Sequence, residues 1–127
     1  MFKSEMQIVV KSSVEAMEFY KDVFNAEEIC VHFGSKKGTV DEAQINVFGQ
    51  IILLAESTDV ESITGNTMKF GLHFFEEGKE NIVKKIYDKL KDGAKIIYPL
   101  SPCIFATLYV DLIDKYGVRW NLSACEE

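Results

Sequence analysis

The chain has 127 residues, with 14 Lys and Arg against 20 Asp and Glu and a formal net charge of −6. Apolar residues make up 47% and aromatics 12%, enough for a packed core and too many for a disordered chain. An acidic balance without a basic run excludes a nucleic-acid backbone or an anionic membrane as main partner, and the longest purely apolar stretch, residues 51–55, is too short to span a bilayer.

Residues 5–11 predict a strand that turns Met6, Ile8 and Val10 to one face. Ser12 then opens a helix, and Glu15 three residues later completes a capping-box pattern in which each side chain satisfies an unpaired backbone N–H. Ala16, Met17, Tyr20, Val23 and Phe24 recur at helical spacing and form its buried face. Asn25, which tolerates the left-handed conformation, is the expected stop. Strands follow over residues 28–33, 43–48 and 51–56, with Gly34, Gly38 and Gly49 at the joins.

A polar linker over residues 57–66 leads to the same grammar again. The strand over 69–75 places Phe70, Leu72 and Phe74 on one face and Gly71, His73 and Phe75 on the other. A helix over 77–92 buries Ile82, Val83, Ile86 and Leu90 and stops at Gly93. Strands over 95–100, 104–112 and 118–124 complete the half. Local echoes support the repeat: Gly49 matches Gly117 and Ala26 matches Ala94, both with a shift of 68 residues.

The expected fold is therefore α+β: a single domain of two tandem β-α-β-β-β modules, residues 1–60 and 66–127. One helix covers one sheet face in each module. The uncovered faces are expected to curl toward each other into a cup, where a ligand binds.

The run Ala16-Met17-Glu18-Phe19-Tyr20-Lys21-Asp22-Val23-Phe24-Asn25-Ala26-Glu27 resembles the first-helix signature of the vicinal oxygen chelate superfamily, which holds glyoxalase I, bleomycin-resistance proteins and extradiol dioxygenases. Asp114-Lys115-Tyr116-Gly117-Val118-Arg119-Trp120-Asn121-Leu122, preceded by Pro99-Leu100-Ser101, resembles the ending of its PhnB-like branch. The resemblance spans essentially the whole chain. It implies the glyoxalase/bleomycin-resistance fold and a homodimer, because the superfamily often shares its cups between chains. A fold that hosts isomerases, epimerases, dioxygenases and drug-sequestering proteins does not by itself name an activity.

Superfamily members that use a divalent metal commonly hold it with two His and two Glu from the first and last strands of each half. The resemblance carries that role to His73, and in half one to Glu5 or Gln7. Asn121 stands where the enzymes have Glu, and the 68-residue shift sets Leu53 opposite it. Asn offers a neutral carbonyl and Leu no donor. Glu56 would restore a carboxylate at a familiar interval before His73, but alternation turns it away from Leu53. The metal set, if present, is Glu5, Glu56 and His73, and a site normally needs three or more strong donors, so it reads as degenerate.

The ligand pocket expected from the alternation comprises Gln7, Leu53, His73, Tyr109, Asp111, Arg119 and Asn121, polar on the second half and apolar on the first. Such a pocket suits a small molecule with an oily body and one hydrogen-bonding or anionic end. Arg119 and Asp111 can equally pair with each other, and Trp120 reads as core. His32 is expected at a surface or edge, and Cys103 lacks a base beside it. The first residues, Met1-Phe2-Lys3-Ser4-Glu5, lack the apolar core of a secretory signal. Cys30, Cys103 and Cys125 show no metal spacing, so reduced thiols in a cytoplasm are expected.

Three functions stay open on the residues. The first is a metal-free small-molecule binder, with no assured cofactor. The second is a divalent-metal-dependent lyase, isomerase or dioxygenase. The third is an interaction module whose cup is plugged by Phe75, Phe105 and Tyr109.

Overall fold

The computed structural model describes residue 2, residues 6–58 and residues 67–126. The chain divides into two compact units, Met1–Ile63 and Thr64–Glu127. Glu5 and most of the expected linker lie outside the described residues.

The first unit runs β1 (Met6–Val10), α1 (Ser13–Phe24), β2 (Glu27–Phe33), β3 (Val40–Val47) and β4 (Gln50–Glu56). Its sheet order is β1-β4-β3-β2, with β1 parallel to β4 and the other pairs antiparallel. α1 buries Ala16, Met17, Tyr20, Val23 and Phe24, and the sheet buries Ile8, Val10, Val40, Ala43, Ile45, Val47, Ile52 and Leu54. Packing these branched side chains under one amphipathic helix supplies the unit's main driving force. Asn25 ends α1 with φ 50°, as its tolerance of that region suggests, and its N–H donates to the Lys21 carbonyl. His32 is exposed on the edge strand β2.

The start of α1 corrects the capping-box expectation. Ser12 adopts φ 55° and makes no side-chain cap bond. The anion at the helix start comes instead from the end of β4: Glu56 accepts from Ser13 N at 2.9 Å, Ser13 Oγ at 2.7 Å and Ser12 N at 3.3 Å. Ser13 Oγ in turn accepts from Val40 N at 2.8 Å. A carboxylate reaching across from a neighbouring strand thus accepts from the first N–H groups of the helix, because the parallel β1–β4 pairing brings Glu56 level with Val10.

The second unit repeats the order as β5 (Phe70–Phe74), α2 (Lys79–Leu90), β6 (Lys95–Cys103), β7 (Ala106–Ile113) and β8 (Arg119–Ala124), with sheet order β5-β8-β7-β6. Val83, Ile86 and Leu90 of α2 are buried together with Phe74, Val110, Leu112, Trp120, Leu122 and Ala124 of the sheet. Trp120 is core as expected, stacked on Phe70 with ring centroids 4.9 Å apart. β6 runs past Pro99 to Cys103, longer than expected, and pairs irregularly with β7 on the edge of the sheet, where a missing N–H is tolerated. Phe105 lies in the β6–β7 turn rather than within a strand.

The closing motif is a tight turn built on one carboxylate. Asp114 Oδ1 accepts from Tyr116 N at 2.9 Å and Val118 N at 3.0 Å, while Oδ2 accepts from Trp120 Nε1 at 2.8 Å. Gly117 supplies φ 87° inside that turn, and its counterpart Gly49 supplies φ 92° before β4. The Asp-Lys-Tyr-Gly-Val-Arg-Trp sequence is thus a self-wrapped β7–β8 hairpin that fixes the register of β8.

Candidate functional site on the second sheet

Because β8 lies between β5 and β7, register alone assembles a polar surface on the face away from α2. Gly71 pairs with Asn121, which pairs with Asp111; one pleat along, His73 pairs with Ser123, which pairs with Tyr109. Period-two alternation sends these six residues to one face and Phe70, Leu72, Trp120 and Leu122 to the other.

Asp111 is the electrostatic centre of that face. It takes a bidentate bond from Arg119, Nε at 2.9 Å and a terminal nitrogen at 2.8 Å, and a further bond from Lys69 Nζ at 2.9 Å. Burial pushes the Asp111 carboxyl up, but the bonds from Arg119 and Lys69 outweigh it and hold it below its ordinary range. The same contacts raise Lys69 and Arg119. Two cations, Lys69 and Arg119, thus meet the one Asp111 carboxylate. Lys69 also lies 3.5 Å from the Tyr109 hydroxyl, which accepts from Asn121 Nδ2 at 3.4 Å. Tyr98 and Phe105 pack edge-on against the Tyr109 ring, with centroids 5.4 and 5.3 Å away. They hold the phenol in place and leave apolar surface beside it, Phe105 being 58% exposed.

Asn121 is 9% exposed, and its Oδ1 has no hydrogen-bond partner among the described residues. Beside it, His73 bonds through Nδ1 to Ser123 Oγ, which lies 3.2 Å from Cys125 Sγ. A methyl group on residue 71 would place its carbon 2.7 Å from Asn121 Oδ1 and 2.8 Å from His73 Nε2, so both side chains close over Gly71 at a distance that a Cβ would not allow.

Five of the residues expected in the ligand pocket, His73, Tyr109, Asp111, Arg119 and Asn121, therefore share one sheet face. Gln7 and Leu53 belong to the first unit, where they pair with each other across β1 and β4; Gln7 is exposed and Leu53 buried. The register also corrects the repeat at the first strands. Gln7 opposite Leu53 corresponds to Gly71 opposite Asn121, and His73 corresponds to Val9 rather than to Gln7 or Glu5. The shift is 64 residues there (Met6 to Phe70) and 68 in the last strands (Ile52 to Trp120), because the connections between are of unequal length.

Of the three expected metal donors, Glu5 lies outside the described residues and Glu56 is engaged elsewhere. Glu56 is committed to the start of α1, where burial raises its carboxyl but the Ser13 and Ser12 bonds prevail and lower it. Asn121 is a neutral amide, Val9 has no donor, and among the described residues no group of three His, Cys, Asp or Glu could hold a metal ion. Lys69, Gly71, Ser123 and Cys125 had no role in the sequence reading. The alternation that points to His73 and Asn121 also reaches them, two residues away at Gly71 and Ser123 and four at Lys69 and Cys125.

Two concavities, about 580 and 410 Å³, flank Lys36, Thr39 and Glu56 in the first unit. They are shallow, mixed in charge and carry no chemistry beyond the helix start.

No family model matches the chain, and no curated protein matches its sequence. Solved structures do. A Bacillus cereus PhnB protein, described as a 3-demethylubiquinone-9 3-methyltransferase, superposes with a TM-score of 0.84 at 25% identity over 98% of this chain and 100% of that one. The chain has the vicinal oxygen chelate fold in its PhnB-like form. Protein PA1353 from Pseudomonas aeruginosa shares that fold at TM-score 0.80 and 14% identity, over the whole of both chains. So does the fosfomycin resistance protein FosX from Listeria monocytogenes, at 0.70 and 17%, over 98% of this chain and 93% of that one. FosX has been crystallised with Mn(II). The vicinal oxygen chelate fold thus hosts a metal in a neighbour, while the described donors of this chain assemble none.

Proposed function

We propose that this chain is a small-molecule-binding protein of the vicinal oxygen chelate superfamily that has exchanged a metal centre for a hydrogen-bonding one, on the polar face of its second sheet. The observation that carries the reading is Asn121 Oδ1, a buried acceptor with no hydrogen-bond partner among the described residues. A group outside the chain is its natural partner. Lys69, two pleats from His73 and beside Asp111, supports a ligand with an anionic end, and Phe105 and Tyr98 support an apolar body. A homodimer belongs to the same proposal, as does a cytoplasmic location, which the three unpaired cysteines support.

The test is metal content after purification without chelator or metal-affinity resin, then titration with Mn(II), Zn(II), Ni(II) and Fe(II), followed by a thermal-shift screen of small organic anions. The expected outcome is no metal binding tighter than millimolar and a rise in Tm with anions that carry an apolar tail. Close to one metal per chain, lost in His73→Ala, would overturn the reading and favour a metal-dependent enzyme.

A further inference from the structure

Residues 96–105 expose five large apolar side chains. Ile104, at the β6–β7 turn, is 102% exposed, and Ile96, Ile97, Tyr98 and Phe105 are each at least 38% exposed. Tyr98 and Phe105 both pack against the Tyr109 ring, which draws the two ends of the stretch into one patch. The five side chains present roughly 500–600 Å² to water, the upper end for the largest apolar patch of a monomer and most of the ~800 Å² that each partner of a stable complex buries. The patch follows the edge strand β6, but Pro99 and Pro102 remove two N–H donors and the pairing with β7 is irregular, so the edge is ill suited to adding a strand. What it offers a partner is side chains.

Charge decides which partner fits. Residues 64–127 hold nine Lys and Arg and nine Asp and Glu, so the net charge of −6 belongs entirely to residues 1–63. Within residues 95–105 the one charged side chain is Lys95. The other exposed apolar edge, β2 with Ile29 and Phe33, begins with Glu27 and Glu28. Set against itself about a two-fold axis, β2 would oppose carboxylate to carboxylate, whereas the β6–β7 hairpin opposes uncharged groups. An uncharged patch carries no charge pattern to select a foreign partner, and it is compatible with its own copy. We propose that the β6–β7 hairpin is the face through which two copies of this chain associate, with Ile104 as its most exposed anchor. The proposal rests on the homodimer of the reading above and names its surface. Because Tyr98 and Phe105 touch Tyr109, the contact also closes the aromatic end of the polar face to water.

Sedimentation equilibrium tests it on the native chain, Ile104→Asp, Ile97→Asp and Phe33→Asp, with far-ultraviolet circular dichroism reading whether each variant is folded. A native dimer is expected, at least about tenfold weaker in Ile104→Asp and Ile97→Asp and within about twofold in Phe33→Asp. Hydrogen exchange of the native chain needs no variant: raising the concentration through the dimerisation range should add protection in peptides covering residues 96–105. A dimer indifferent to both hairpin variants, one weakened by Phe33→Asp, or added protection only outside residues 96–105 overturns this surface and leaves the homodimer standing. A native chain that stays monomeric up to about 200 µM overturns both and leaves the patch to a different protein.

Discussion

Replacing Asp114 by Ala removes three hydrogen bonds at once, and their surroundings set the cost. The Tyr116 and Val118 amides lie in a half-buried turn where water can replace the carboxylate, so each loses about 0.5–1 kcal/mol. The Trp120 indole N–H is different: the side chain is 1% exposed, and its donor would be stranded in the core at about 1–3 kcal/mol. The expected loss is about 2–5 kcal/mol, a large share of a small domain's stability. Urea titration followed by far-ultraviolet circular dichroism measures it, and Trp120, the chain's one tryptophan, provides an independent fluorescence probe in the native background. Repeating the substitution in Trp120→Phe removes the indole donor, and the cost of Asp114→Ala should then fall by at least about 1 kcal/mol. An Asp114→Ala cost below 1 kcal/mol, or the same cost in both backgrounds, would refute the account of the motif as a turn locked to its own tryptophan.

Glu56→Gln should destabilise the chain by about 1 kcal/mol at neutral pH, because the helix start loses its charged acceptor. Glu56 has a folded pKa below its ordinary value, so the native chain's advantage is full above about pH 4.5 and is lost as pH falls through the folded value; urea midpoints of the two proteins should converge in acid. Asn25→Ala places a Cβ-bearing residue without a local amide at φ 50° and should cost about 1 kcal/mol, whereas Asn25→Gly should be neutral or slightly stabilising; thermal melts separate the two.

Element order, the two modules and the helix faces were legible because each rests on a short-range pattern: alternation for strands, the 3.6-residue period for helices, and Asn or Gly at their ends. The alternation also placed His73, Tyr109, Asp111, Arg119 and Asn121 on one surface. What escaped the sequence is what depends on register between distant strands. Glu56 could be excluded from the Leu53 face by counting, but not assigned to Ser12 and Ser13, which precede it by more than 40 residues. The half-one counterpart of His73 was mislaid by two residues because loops of unequal length intervene between the repeats. The His73–Ser123 contact needed the pairing of β5 with β8, which brings the two residues opposite each other from distant strands.

Each sheet ends its chain order in its interior. β4 inserts between β1 and β3, and β8 between β5 and β7, so the last strand of each unit is the one that joins its first strand to the rest. Met6 must wait for Ile52, and Phe70 for Trp120, before either first strand has a neighbour. Neither sheet can be zipped up as it is made: the β2–β3 and β6–β7 hairpins can form early, but the first strands stay solvated until a distant segment arrives and closes a long loop against entropy. The glycine-led turns at Gly49 and Gly117 aim β4 and β8 back into the gap, so substitutions there are expected to slow closure more than they change the finished structure.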